Sequence, residues 1–344
     1  MQKSSLVFLK FTRVTRRKIL LSILVVMSSN PVWAEGEQKV EDDKGVFNIV
    51  VENDIFAKSD RDYTNGIRFS WISSEENMPS WSRSVANILP LASSGRKRIS
   101  IAAGQSMFTP EDTVSKNYLP GDHPYAGWLY GSVGMVSDTG NTLDNVMLTL
   151  GVVGPSALAK QTQDFVHDAI NDKRAQGWEH QLKDEPGIIL TYERKWRGII
   201  EASPFGLGAD ITPHVGVNLG NVNSDASIGA TFRLGFDLPA DYGPPRIRPS
   251  LPGSDFFIPT QELGGYLFTT IGENVVARNI FLDGNSFKDS ASVDKKYLVS
   301  SLQVGAALTY GETRVSYTQV FTSKEYDTQK HAPIFGVVTL SSRF

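Results

Sequence analysis

The densest chemistry in the chain lies between positions 51 and 66, V-E-N-D-I-F-A-K-S-D-R-D-Y-T-N-G. Glu52, Asn53, Asp54, Asp60, Asp62 and Thr64 bring side-chain oxygens together, and a turn would free backbone carbonyls near Gly66. A hard cation such as Ca²⁺ takes oxygen donors of this kind, carbonyls included. Turn chemistry alone also enriches Asp, Asn and Gly, so an ordinary acidic surface hairpin fits the same residues. Neighbours on a regular strand point to opposite faces, so Asn53 and Asp54 can serve one site only where the strand bulges or ends.

Two further stretches carry reactive groups. Positions 156–171, S-A-L-A-K-Q-T-Q-D-F-V-H-D-A-I-N, place Leu158, Thr162, Phe165, Val166, Ala169 and Ile170 at helical spacing. This predicts a short amphipathic helix capped by Ser156, with its apolar face against a neighbouring surface and Lys160, Gln163, Asp164 and His167 on the other face. An imidazole is the default general base near neutral pH, whereas a lone solvated histidine does nothing. Positions 121–130, G-D-H-P-Y-A-G-W-L-Y, hold His123 beside Asp122 as the competing base, with Trp128 and Tyr130 read as interfacial girdle aromatics. His180, His214 and His331 lack such surroundings. The chain has no Cys, which excludes thiolate nucleophiles, disulfides and Cys-ligated metals. It also has no G-x-S-x-G, H-E-x-x-H, P-loop or EF-hand spacing.

The elements that must position these residues are strands. In 298–310, Leu298, Leu302, Val304, Leu308 and Tyr310 share one face, and Ser301, Gln303 and Thr309 the other. The stretches 227–236 and 334–344 alternate in the same way. A sandwich would bury a uniformly apolar face. An apolar face opposite a Gly/Ser/Thr/Arg face suits a lipid-facing barrel with a wet interior. The strands expected are 46–54, 65–73, 97–106, 126–137, 142–153, 187–197, 209–219, 227–237, 261–275, 297–310, 313–322 and 334–344. The expected fold class is therefore all-β: an antiparallel transmembrane barrel of about 12 strands, with a short helix in an extracellular loop. If the first strand rises from the periplasm, the long connections 107–125, 154–186 and 279–296 and all three reactive stretches fall at the outer rim. The Pro-rich segment 237–260 then falls awkwardly on the side of short turns, as a miscounted strand near 199–222 would explain. A terminal Phe344 on an alternating strand is a further barrel feature.

Positions 1–34 read as a secretory signal: a basic start, the nine-residue apolar core 19–27, and V-W-A at 32–34 as a cleavage site. The apolar core is too short to span a bilayer as a helix. The expected organisation is a signal peptide at 1–34 and one barrel domain at 35–344. The leader holds six of the 34 basic residues and none of the 37 acidic ones, which leaves the rest at net charge −9. An acidic chain of this kind is not a nucleic-acid binder.

Four ordered motifs resemble the lipid A 3′-O-deacylase family (LpxR): V-E-N-D-I-F at 51–56, D-R-D-Y-T-N-G at 60–66, G-D-H-P-Y-A-G-W-L-Y at 121–130 and G-V-V-G-P-S-A-L-A-K-Q-T-Q-D-F-V-H at 151–167. G-W-E-H-Q-L at 177–182 and the last strand are family-like as well. The resemblance spans essentially the whole mature chain. It implies a bacterial outer-membrane enzyme, a carboxylic ester hydrolase that removes the 3′-linked acyloxyacyl group of lipid A with Ca²⁺ as cofactor. It places Asn53, Thr64 and His167 in catalysis, with His167 activating a water. Asp54, Thr64 and Gly66 would hold the metal, and Asp122, His123 and Tyr125 would contact the substrate. Pro120 stands where some members carry a Lys. The expected partners are lipid A or lipopolysaccharide and the outer membrane, with the protein a monomer. The alternatives are an outer-membrane phospholipase, which would need a Ser–His pair, and a non-catalytic narrow porin or adhesin-like barrel.

Overall fold

Alternation along each strand sets the architecture. The computed structural model describes residues 44–54, 62–75, 78, 82, 89, 91, 95–171, 173–243 and 256–344. The leader, the tip of the first hairpin at 55–61 and most of the Pro-rich segment, 244–255, lie outside the described residues.

Twelve antiparallel strands close into a ring: β1 (Val46–Asn53), β2 (Asp62–Ile72), β3 (Arg96–Thr109), β4 (Ala126–Asp138), β5 (Thr142–Val153), β6 (Glu185–Trp196), β8 (Gly208–Gly220), β9 (Asn223–Phe236), β10 (Leu263–Asn279), β11 (Leu298–Tyr310), β12 (Thr313–Thr322) and β13 (Ile334–Arg343). A three-residue strand, β7 (Ile200–Ala202), pairs with one end of β8 outside the ring. Closure comes from β1 against β13 and from β6 against β8. A closed ring satisfies every ladder hydrogen bond without water, which lipid immersion requires.

The outer face of the wall is the apolar set expected from sequence. Ile228 and Phe232 on β9, Leu267 and Ile271 on β10, and Leu298, Leu302 and Leu308 on β11 are all exposed. The lumen face is polar and internally bonded: the Thr231 and Thr270 hydroxyls meet at 2.8 Å, and Thr191 donates to Asn218 at 2.6 Å.

The strand count holds, and the described parts of this segment, residues 237–243 and 256–260, lie at the end of the barrel that carries the start of β1 and Phe344. Tyr242, Phe256 and Phe257 pack there against Val46, Ile72, Val136 and Leu143 inside the ring. Asp241 is fully buried between Arg233 and Arg314, accepting from Arg314 at 2.5 Å and from the Tyr266 hydroxyl at 3.1 Å. The Tyr242 hydroxyl donates to Asp138 at 2.6 Å, and Phe257 lies under the Arg314 guanidinium at 4.5 Å. A buried carboxylate is stable in such a place only because two cations and a phenol face it.

At the opposite rim, the 154–184 connection carries helix α1 (Ala159–Ile170), and a one-turn helix, α2 (Ile280–Asp283), dips into the lumen mouth. Phe281 of α2 stacks on Phe108 at 4.1 Å.

Candidate active site

Cross-strand partners share a face of the sheet. One row of partners runs across the rim: Gly336 on β13, Asn53 on β1, Asn65 on β2, Met107 on β3 and Gly127 on β4. Its β3–β4 end faces outward against α1. A Cβ placed on Gly127 would lie 2.6 Å from the Ala159 Cβ, and Met107 packs with Ala159, Tyr125, Ala175 and Trp178. Gln105 donates to the Ala157 carbonyl at 2.6 Å and ties the start of the helical loop to the same wall. Asn53 therefore sits on the outer face, in the row that α1 covers further along.

Two local irregularities gather the neighbouring groups. The β2–β3 register shifts between Tyr63 and Asn65, making Thr64 the extra residue of a bulge. A bulged residue leaves the ladder and is re-aimed. The Thr64 hydroxyl meets that of Thr109 at 2.7 Å. β1 ends at Asn53, and Asp54 lies just outside the strand, 1% exposed. Strand alternation thus no longer separates Asp54 from Asn53. Gly66 lies elsewhere: it pairs with Glu52 and Ser106 inside the ladder, in the lumen-facing row that includes Trp128.

The helix differs from its sequence reading in two respects. Residues Pro155–Ala157 form a separate 3₁₀ turn, and Leu158, at φ 60°, occupies the N-cap position of α1. Ser156 instead bonds Asp184 through both its amide and its hydroxyl, each at 2.8 Å. The face turned to the wall is also not the apolar one. Ala159, Gln163 and His167 are buried, while Leu158, Phe165 and Ala169 are exposed. An amphipathic helix turns its apolar face away from its own protein only where something other than water lies outside.

His167 is 5% exposed, on the buried side of α1. Its Nδ1 lies 2.6 Å from the Lys173 carbonyl oxygen. A carbonyl cannot donate, so Nδ1 carries the proton and, in the neutral ring, Nε2 holds the lone pair. The loop that presents Lys173 is fixed by a left-handed C-cap at Asn171 (φ 57°) and by the Asp168–Arg174 ion pair. Hydrogen bonding from Arg174 holds the Asp168 carboxyl below its usual range. One turn before His167, Gln163 accepts from the Trp178 indole at 2.7 Å, and Trp178 packs on Tyr125 at 5.0 Å.

The third motif divides. Tyr125 belongs to the cluster between wall and helix. Asp122 organises the loop, accepting from its neighbour's amide at 2.7 Å and from the Tyr326 hydroxyl at 3.2 Å. His123 stacks on Phe108 at 5.6 Å over the lumen mouth, and its Nδ1 bonds the Pro124 carbonyl at 2.8 Å. Pro120 is exposed. Trp128 and Tyr130 are not girdle aromatics. They stack on each other at 5.7 Å in the lumen, because Leu129 holds the lipid-facing phase of β4. Thr109 carries no sign in the sequence, and Trp178 shows there only as part of the family-like stretch 177–182. Gln163, four residues before His167, is readable from the shared helix face.

The donors around Asp54 and Thr64 suit a hard cation. They are a buried carboxylate, paired hydroxyls and backbone released at a bulge, all oxygen. Among the described residues no three His, Cys, Asp or Glu side chains cluster, so a cation held here would rest on hydroxyl and backbone oxygens beside the Asp54 carboxylate.

In structure, the chain is similar to LpxR from Salmonella typhimurium, with a TM-score of 0.71 at 20% identity over 87% of this chain and 100% of that one. The β domain of the Bordetella autotransporter BrkA gives a TM-score of 0.42 at 10% identity, covering 88% of this chain and 98% of that one. No curated protein matches the chain in sequence. The family described as "Outer membrane protein LpxR" matches residues 19–344. On that match, with a closed twelve-strand barrel of the same fold, the chain belongs to the LpxR family of outer-membrane proteins.

Proposed function

We propose that the protein hydrolyses the 3′-linked acyloxyacyl ester of lipid A in the outer leaflet, at the seam between α1 and the barrel wall. The observation that carries this reading is His167: a buried imidazole whose Nδ1–H is committed to a carbonyl and whose Nε2 is thereby an acceptor. Family membership supports the substrate class.

His167 Nε2 takes the proton of the attacking water, and the Lys173 carbonyl steadies the imidazolium that results. Asn53, on the outer face, offers its amide N–H to the oxyanion. Asp54, Thr64 and backbone carbonyl at the Thr64 bulge are the groups that would hold Ca²⁺. When bound, the ion supplies Lewis-acid polarisation of the ester carbonyl. Met107, Tyr125, Ala159 and Trp178 keep bulk water from one side of the seam.

This arrangement asks for no serine nucleophile. The His167 ring donates its Nδ1–H to the Lys173 carbonyl, which leaves Nε2 to serve a water. A porin role fits poorly with Asp241, Tyr242 and Phe257 packed inside one end of the ring. The test is His167→Ala in refolded protein given lipopolysaccharide. Loss of deacylation, with heat-modifiable gel mobility retained, supports the reading. Unchanged turnover overturns it.

A further inference from the structure

Successive residues of an α-helix are rotated by about 100°, so α1 resolves into three faces roughly 120° apart. Ala159, Gln163 and His167 form the wall face. Lys160, Gln161, Asp164 and Asp168 form a polar face, stitched by Lys160–Asp164 at 2.5 Å and by Asp168–Arg174. Leu158, Thr162, Phe165 and Ala169 form the third. On it Phe165 is 75% exposed and Leu158 is 50% exposed. Thr162 returns its hydroxyl to the Leu158 carbonyl at 3.2 Å, which leaves its methyl outward.

Leu158 sits at φ 60°, a left-handed conformation that is strained for any residue but glycine. Glycine would relieve that strain but present no side chain. The apolar stripe is also continuous with an interface already on the molecule. Below the helix, on the same outer wall, Leu129 and Val133 of β4, Leu150 of β5 and Ile101 of β3 are exposed as part of the lipid-facing band.

We infer that the Leu158–Phe165–Ala169 stripe is immersed in the acyl chains of the outer leaflet. α1 is then a three-sided wedge at the boundary of lipid and water, one face on protein, one in lipid and one in solvent. Resting on the function proposed above, this adds the route: substrate reaches the seam sideways from the leaflet, its acyl chains lying along the stripe.

The chain has no cysteine, so single nitroxide labels can be placed without background. Phe165→Cys and Ala169→Cys report the stripe, and Gln161→Cys reports the polar face. Each variant is refolded into phosphatidylethanolamine/phosphatidylglycerol vesicles and read by collision with oxygen, which concentrates in lipid, and with a water-soluble nickel chelate. The expected result is labels at 165 and 169 that collide with oxygen and are shielded from nickel, with the reverse at 161. Nickel access at 165 and 169 equal to that at 161 overturns the proposal in favour of a water-exposed helix. Shielding from both reagents overturns it in favour of a protein partner or a second copy. The two stripe positions guard against one label disturbing the loop. The readout needs no turnover, so its failure leaves the deacylase reading standing, and the converse.

Discussion

A methyl group at Gly127 tests whether the seam between α1 and the wall is where the reaction occurs. The outer face of β4 at this residue is backbone, and α1 begins directly over it. The Cβ of Gly127→Ala would lie 2.6 Å from the Ala159 Cβ and 3.1 Å from the Ala157 Cβ, against an ordinary contact distance of 3.4–4 Å. Neither neighbour is the far end of a flexible chain. The start of α1 must therefore lift by roughly 1 Å, and it carries Gln163 and His167 with it. A misplacement of about 1 Å at a catalytic group costs on the order of 100-fold in rate, or about 2.7 kcal/mol of barrier. The wall itself should not suffer, since the methyl projects away from the lumen and leaves the β3–β4 ladder intact. The assay is kcat/KM for release of the acyl group from lipopolysaccharide, with thermal unfolding measured alongside. Adding Ala159→Gly removes the closest clashing atom and should restore most of the loss, giving a coupling in the double-mutant cycle. Wild-type turnover in Gly127→Ala would refute the reasoning, as would a double variant no better than the single one.

Other expectations follow from the same contacts. Asp241→Ala leaves Arg233 and Arg314 buried without their shared carboxylate and should destabilise the barrel by about 3–5 kcal/mol, read by heat-modifiable mobility and by new conductance in planar bilayers. His123→Ala removes a ring stacked on Phe108 over the lumen, so it should lower thermal stability while keeping kcat within a few-fold of wild type. A loss as deep as that of His167→Ala would make His123 the base. The depressed Asp168 carboxyl, held by Arg174, contributes its stabilisation above the ordinary aspartate range and loses it only as pH falls through its lowered value. Hydrogen exchange in the loop from 167 to 176, corrected for intrinsic rate, should therefore stay protected down to about pH 4. Asp168→Asn should lower that protection by a few-fold already at neutral pH, since the pair is exposed and screened.

The barrel was legible because alternation is a property of residue types alone. Leu298 to Tyr310 reads apolar and polar by turns, and the structure exposes and buries it in that rhythm. Phase was harder to read than period. The sequence reads Trp128 and Tyr130 as girdle aromatics, yet Leu129 between them fixes β4 the other way, and an aromatic side chain suits either face. The Thr64 bulge left no mark in the sequence, since a register shift changes no residue identity, yet it aims that residue toward Thr109. For α1 the period was right and the facing wrong. Apolar residues are expected to seek protein, but at the rim of a membrane barrel lipid competes for them. The inward packing around Asp241 is hidden in the sequence for a related reason: an acid among prolines resembles a loop until Arg233 and Arg314, distant in sequence, are placed beside it.

The most direct measurement is mass spectrometry of lipid A after lipopolysaccharide is incubated with the purified, refolded protein, first in Ca²⁺ and then in EDTA. The account predicts a mass loss equal to one 3′-acyloxyacyl unit in Ca²⁺ that disappears in EDTA and in His167→Ala. No mass change from a protein shown to be folded, or a loss that persists in His167→Ala, would contradict it.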